Sequence, residues 1–177
     1  MTAFMDVIRA RRSIRVFDQK PVEDEKVAAL IEAALRSPSS RGLNPWQFVV
    51  VTEAETRKAL SEVKPHGGGF LASSPLAIAV VADPERCDVW VEDTSIAATY
   101  IKLAGEFMGL KSCWCQIRLR QDQDGKSASD KVRAILDISE GFEVASIIGI
   151  GYPAEDKAGH PESYLDMGKV HRERFLK

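Results

Sequence analysis

Apolar residues in this chain recur with two periods. Between Pro21 and Pro38, Val27, Leu30, Ile31, Ala34 and Leu35 follow the three-to-four-residue repeat of a helix with one buried face. Pro38 sets its end, because the residue before a proline is pushed out of the helical region. Four short apolar runs, Trp46–Val51, Leu76–Ala82, Ser112–Ile117 and Val144–Ile150, predict buried strands. A short helix through Arg9–Arg11, capped by Thr2, precedes them. A polar helix is predicted from Thr52 to about Val63, with Arg57 on its exposed side and a surface turn at Pro65-His66-Gly67-Gly68-Gly69. The longest helix runs from Trp90 to Met108 and stops at Gly109. Its residues Val91, Ile96, Tyr100, Leu103 and Phe107 are expected to share the buried sector. A last helix over 129–137 has Ser127 or Ser129 as its cap, and the tail beyond Pro153 has weak periodicity.

Helices alternating with buried strands predict a three-layer α/β sandwich in one domain spanning 1–177. Crossovers alone favour a parallel sheet, but the pattern leaves strand order open. The 177 residues are 45% hydrophobic and 28% charged, and a chain of this size buries roughly two-thirds of its unfolded surface without staples. The longest unbroken apolar run, Leu76–Ala82, falls far short of the ~20 residues of a membrane span. Asp6 and Arg9 argue against a secretory signal, and the odd, sparse set Cys87, Cys113 and Cys115 fits a reducing cytoplasm.

The charge total of −2 conceals an uneven distribution. Residues 1–15 carry four arginines against one acid, residues 169–177 four basic residues against one acid, and the stretch between carries −8. Two small basic ends make a poor footprint for a nucleic acid, which favours a broad basic face. They read either as two solvated tails or as two halves of a grip on one small anion.

Several motifs reduce to structure. His66-Gly67-Gly68-Gly69 lacks the nucleophile elbow that an esterase oxyanion loop needs. Gly149-Ile150-Gly151 follows a strand, but Tyr152-Pro153 replaces the helix start of a dinucleotide fingerprint. Cys113-x-Cys115 has no companion ligands at metal spacing; on a strand both thiols face one side, as core filling. Glu92-Asp93 and Asp122/Asp124 read as solvated acids. No protein nucleophile stands out, so the hard chemistry falls to a cofactor. Arg11, Ser13 and Arg15 alternate, which in an extended segment directs two guanidinium forks and a hydroxyl to one side. That set suits a phosphate monoester.

Arg11-Arg12-Ser13-Ile14-Arg15-Val16-Phe17 is followed in order by Ser37-Pro38-Ser39-Ser40-Arg41-Gly42-Leu43-Asn44-Pro45-Trp46-Gln47-Phe48, by Trp90-Val91-Glu92-Asp93, and by Gly109-Leu110-Lys111-Ser112-Cys113-Trp114. Gly149-Ile150-Gly151-Tyr152-Pro153-Ala154-Glu155 and Lys169-Val170-His171-Arg172-Glu173-Arg174-Phe175 complete the series. The ordered set resembles the FMN-dependent nitroreductase family across nearly the whole chain. The resemblance implies an α+β fold, a three-layer α/β/α sandwich with a mixed, largely antiparallel sheet. It also implies a homodimer with two FMN sites at the subunit interface.

By the same resemblance, Arg11, Arg12, Ser13 and Arg15 hold the phosphate and ribityl chain. Arg36, Ser39, Ser40 and Asn44 reach the flavin of the other subunit. Trp114, Cys115, Gln116 and Ile117 lie along the isoalloxazine, with a backbone N–H towards flavin N5. Lys169, His171 and Arg174 close on the phosphate. The implied activity is ping-pong electron transfer from NADH or NADPH through FMN to a flat small-molecule acceptor such as a nitroaromatic or a quinone, with neither metal nor nucleic acid nor membrane involved. A flavin-storage module without nicotinamide turnover, or a specialised reaction such as flavin cleavage or reductive dehalogenation, are the alternatives. Asn44 stands where many relatives carry Gln, and Tyr100 where close relatives place an amide. The short chain lacks the helices that cover the pocket in larger members, so a more open site is expected.

Overall fold

The computed structural model describes residues 3–175. Five helices and four strands alternate along it. They are α1 (Ala3–Ala10), α2 (Asp24–Leu35), β1 (Trp46–Val51), α3 (Ala54–Ser61), β2 (Leu76–Ala82), α4 (Trp90–Phe107), β3 (Lys111–Gln116), α5 (Ala128–Ile135) and β4 (Glu143–Gly151). Each predicted element is present, with ends moved by one or two residues. Gly109, with φ +77°, takes the left-handed turn that ends α4. Ser127 caps α5, its side chain accepting the Asp130 N–H. The proposed Thr2 cap lies outside the described residues.

The strands line up in the order β1-β2-β4-β3, every neighbouring pair antiparallel. The crossover argument for a parallel sheet therefore fails. Among the described residues, parallel pairing is confined to the single bridge between Ser13 and Ser112. Alternation along β2 divides the core. Leu76, Ile78 and Val80 face α2 and α4 with Leu30, Ala98, Ile101, Ile148 and Ile150. Ala77, Ala79 and Val81 face α3 and α5 with Leu60, Val132, Ile147, Cys113 and Cys115. The α/β/α layering follows from the two-residue period of a strand buried on both sides. Cys113 and Cys115 fill core, as the pattern suggested.

Four expectations are overturned. On α4 the buried residues are Asp93, Thr94, Ala97, Ala98, Ile101 and Gly105, whereas Ile96, Tyr100 and Phe107 are exposed. Small side chains let the helix sit close to the sheet, and the large apolar ones face away. Asp93 is buried, accepting the Ser40 N–H at 2.9 Å and the Cys87 thiol at 3.3 Å. Asp122 is paired with Lys131 and accepts the N–H groups of Asp124 and Lys126 at 2.8 Å each. Arg57 is buried under the 3-10 turn Gly69–Ala72 and donates to the Ser74 carbonyl; burial pulls its pKa down.

The two glycines of the Gly149-Ile150-Gly151 run at the end of β4 are packing residues. A Cβ on Gly149 would stand 2.7 Å from Phe70 Cε2, and one on Gly151 would stand 2.5 Å from Pro75 Cδ.

Candidate active site

The site builds from the free edge of β3. Lys111, Cys113 and Cys115 fall on the side of the strand that pairs with β4, because Ser112 offers its carbonyl the other way, to the Ile14 N–H at 3.2 Å. By the two-residue repeat of an antiparallel edge, the backbone N–H groups of Trp114 and Gln116 also face outward. An edge strand thus leaves donors unmet beside the segment that leaves α1.

That segment is a strap. Ser13 bridges Ser112, Phe17 bridges Pro153, and the Asp18 and Ala154 N–H groups bond to Tyr152 and Val16 carbonyls at 2.9 Å. Arg12 Nη1 donates to the Ala158 carbonyl. Any side chain at Gly159 would collide with the Arg9 carbonyl, so residues 157–159 lie directly against the end of α1. Glu155 Oε1 accepts the N–H of Arg15 at 2.6 Å and of Val16 at 3.3 Å, and Lys157 pairs with Oε2 at 2.8 Å. The Glu155 carboxyl is held below its ordinary range, first by the Arg15 N–H and then by Lys157.

Two cations absent from the sequence motifs, Lys102 and Lys157, enter here. Lys102 reaches from α4 towards β3, its ammonium 6.0 Å from the Trp114 ring centre. Burial lowers its pKa, and the charge of Arg11 lowers it further. Arg15, Lys102 and Lys157 all act on the Cys113 thiol, although burial outweighs them and pushes that thiol up. Among the described residues, Arg11, Arg12, Arg15 and Lys102 have no carboxylate partner. A half-buried lysine beside an arginine is costly unless an anion compensates. The signal in the sequence was slight: one lysine in the apolar stretch Ala97 to Ala104.

The remaining candidates fall into three groups. Trp114 Nε1 donates to Gln116 Oε1 at 2.9 Å, and Gln116 Nε2 donates to the Arg118 carbonyl at 2.9 Å. Cys115 and Ile117 turn their side chains into the core, leaving only backbone for a ligand; burial pushes the Cys115 thiol to about 11. In the 37–45 loop, Ser39 Oγ donates to Asn44 Oδ1 at 2.6 Å and accepts the Asn44 N–H at 3.0 Å, Ser40 is tied to Asp93, and Arg36 pairs with Glu32. The third group stays apart. Lys169 is exposed and 3.8 Å from Asp166, and His171 packs on Phe175. Among the described residues, every hydrogen bond made by residues 160–175 is local, so one chain alone does not join Lys169, His171 or Arg174 to the strap.

Exposed apolar side chains include two sets, a groove and the tail. Phe4, Val7, Tyr100, Leu103 and Phe107 line a groove of about 360 Å³ between α1 and α4. Tyr164, Leu165, Met167, Val170 and Phe175 are exposed along the tail.

The model of the nitroreductase family matches residues 8–66. An FMN-dependent nitroreductase from Clostridium difficile R20291 is 43% identical, covers 97% of this chain and 99% of its own, and superposes with a TM-score of 0.95. A provisionally named NADH dehydrogenase/NAD(P)H nitroreductase of Archaeoglobus fulgidus is 32% identical over 180 residues, 99% of this chain and 100% of that protein. The NADPH:FMN oxidoreductase of Vibrio harveyi, crystallised with NAD+, shares the fold at 22% identity and a TM-score of 0.83, over 99% of this chain and 79% of its own. Fold, site and relatives define an oxidoreductase of the α+β class. The chain belongs to the nitroreductase family.

Proposed function

We propose that the protein is an FMN-dependent oxidoreductase that takes electrons from NADH or NADPH and passes them to a flat small-molecule acceptor. Donor and acceptor use one site in turn, a ping-pong sequence. When bound, FMN supplies the hydride and electron chemistry. The chain holds it and tunes its surroundings. Arg11, Arg12, Ser13 and Arg15, joined by Lys102, grip the phosphate. Their guanidinium and ammonium donors offset the burial of about two negative charges. The outward N–H of Gln116 meets the ring edge, where a fixed donor stabilises developing negative charge. Protonated Cys113 and Cys115 stay out of the chemistry.

The observation that carries the reading is Lys102, held half-buried beside Arg11 with no acid partner among the described residues. Such a pair fits a phosphate. The homodimer rests on the apolar α1/α4 groove and the apolar tail, both of which one chain leaves uncovered. In the dimer, Arg36, Ser39, Ser40 and Asn44 reach the flavin of the partner, and the tail brings Lys169, His171 and Arg174 onto a phosphate.

Affinity tests the grip. Flavin-free protein titrated with FMN and with riboflavin is expected to prefer FMN by at least tenfold. Equal affinities contradict the phosphate site, and no binding of either contradicts the flavin reading altogether.

A further inference from the structure

A second cationic cavity lies at the other end of β3. It encloses about 680 Å³ and is lined by Pro84, Trp90, Arg118, Arg120, Ser127 and Glu143, among others. Arg118 lies six residues beyond Ser112, so at the rise of a strand the two ends of this edge are ~20 Å apart. One phosphate cannot span both, and Arg118 and Arg120 call for a different anion.

The cavity is rigidly built. Arg118 and Ile117 both donate N–H to the Ala145 carbonyl, at 3.1 and 3.3 Å, Arg120 N–H bonds to Ile117 at 3.0 Å, and Ala128 N–H bonds to Arg120 at 2.9 Å. Between the two arginines Leu119 adopts φ +57°, a left-handed conformation that a leucine enters only under constraint. The Arg118 guanidinium sits 5.5 Å from the Trp90 ring centre. Among the described residues it makes no side-chain hydrogen bond or ion pair. Arg120 spends one donor on the Leu119 carbonyl at 3.2 Å. The polar neighbours are committed: Ser129 Oγ donates to Glu143 Oε2 at 2.8 Å, and Ser127 Oγ accepts the Asp130 N–H. The hydrogen-bond chain Trp114–Gln116–Arg118 ties this turn to the segment assigned to the flavin ring.

We infer that this cavity is an acceptor subsite, in which Arg118 and Arg120 bind the carboxylate of a flat aromatic substrate whose ring lies over the Trp114–Gln116 edge. The inference rests on the flavin reading above. It narrows the acceptor class from any flat molecule to an anionic one, because two guanidiniums, with one donor of Arg120 spent, against one engaged carboxylate leave the cavity net positive.

The test uses oxidised, FMN-loaded protein without a donor, titrated with 4-nitrobenzoate and with its neutral isostere 4-nitrobenzamide, and followed by the flavin absorbance change. Wild-type protein is expected to bind the carboxylate about tenfold more tightly than the amide. In Arg118→Gln/Arg120→Gln that preference is expected to fall to about one, with amide affinity and FMN affinity unchanged. Arg120→Gln alone, at an exposed position, is expected to lose part of the preference and serves if the double variant is unstable. Equal binding by wild-type protein, or a preference that survives both substitutions, overturns the inference. If wild-type protein fails to hold FMN, the flavin reading fails first; if it holds FMN without the preference, only the subsite fails.

Discussion

Glu155 accepts the backbone N–H of Arg15 at 2.6 Å across 140 residues of sequence. The contact fixes the arginine strap to the end of β4 and places the cationic residues along the edge of β3. A carboxylate is the right group for this, since it accepts both Arg15 and Val16 through one oxygen and still pairs with Lys157.

Acid should loosen the strap. The Arg15 N–H and then Lys157 hold the Glu155 carboxyl below its ordinary range in the folded protein. Its contribution is therefore complete above the unfolded value and is lost as pH falls through the folded one. Thermal melts of Glu155→Gln between pH 3 and 7 are expected to show a lower Tm than wild type at pH 7 and a smaller difference at pH 3. A constant difference across the range contradicts the assignment.

Arg11→Ala is expected to weaken FMN retention by more than ~1.5 kcal/mol, the scale of a hydrogen bond to a charged group. Lys102→Met should do the same and, by removing a buried cation next to Arg11, raise the Tm of the flavin-free protein at neutral pH. The sign follows from the lowered pKa: folding opposes the charged lysine at every pH below its folded value, and the opposition fades as pH rises towards 10.5. Lys58→Ala, at an exposed position of α3, is the control. Buried Arg57 is unsuitable for that purpose. Flavin fluorescence titration and calorimetry measure both effects.

Gly149→Ala should cost about 1–3 kcal/mol, the range for an added methyl in a filled core, because its Cβ meets Phe70 and Leu71. Gly151→Ala faces the Pro75 ring and should cost at least as much. Urea unfolding measures both; a change under ~0.5 kcal/mol at either position contradicts the close packing.

Phe107→Glu places a charge at the 70%-exposed end of the α4 apolar face. It is expected to convert the proposed dimer to monomer in sedimentation and to reduce FMN retention with it. A variant that stays dimeric moves the interface elsewhere.

The strands were legible because runs such as Leu76–Ala82 are apolar on both faces, and the helices because their apolar spacing is regular. Strand direction was not legible in the apolar pattern, since Ala79 pairs with Val49 and Ile147 through backbone contacts that leave no mark in composition; the family resemblance alone implied a largely antiparallel sheet. The face of α4 was misread because close packing selected Ala97, Ala98 and Gly105, while hydrophobicity alone pointed to Tyr100 and Phe107. Asp93 looked solvated because its partners, Ser40 and Cys87, lie in other segments. In the site, Arg11, Ser13 and Arg15 stood out by their alternation. Lys102 did not, because its role depends on Arg11, which only the fold brings near.

The electron-transfer claim meets its most direct test in an anaerobic titration of the FMN-loaded protein with NADH and with NADPH, followed by addition of a quinone. At least one nucleotide is expected to bleach the flavin band near stoichiometrically, and the quinone to restore it. A flavin that stays oxidised with both nucleotides contradicts the assignment and leaves a flavin-binding protein without nicotinamide turnover.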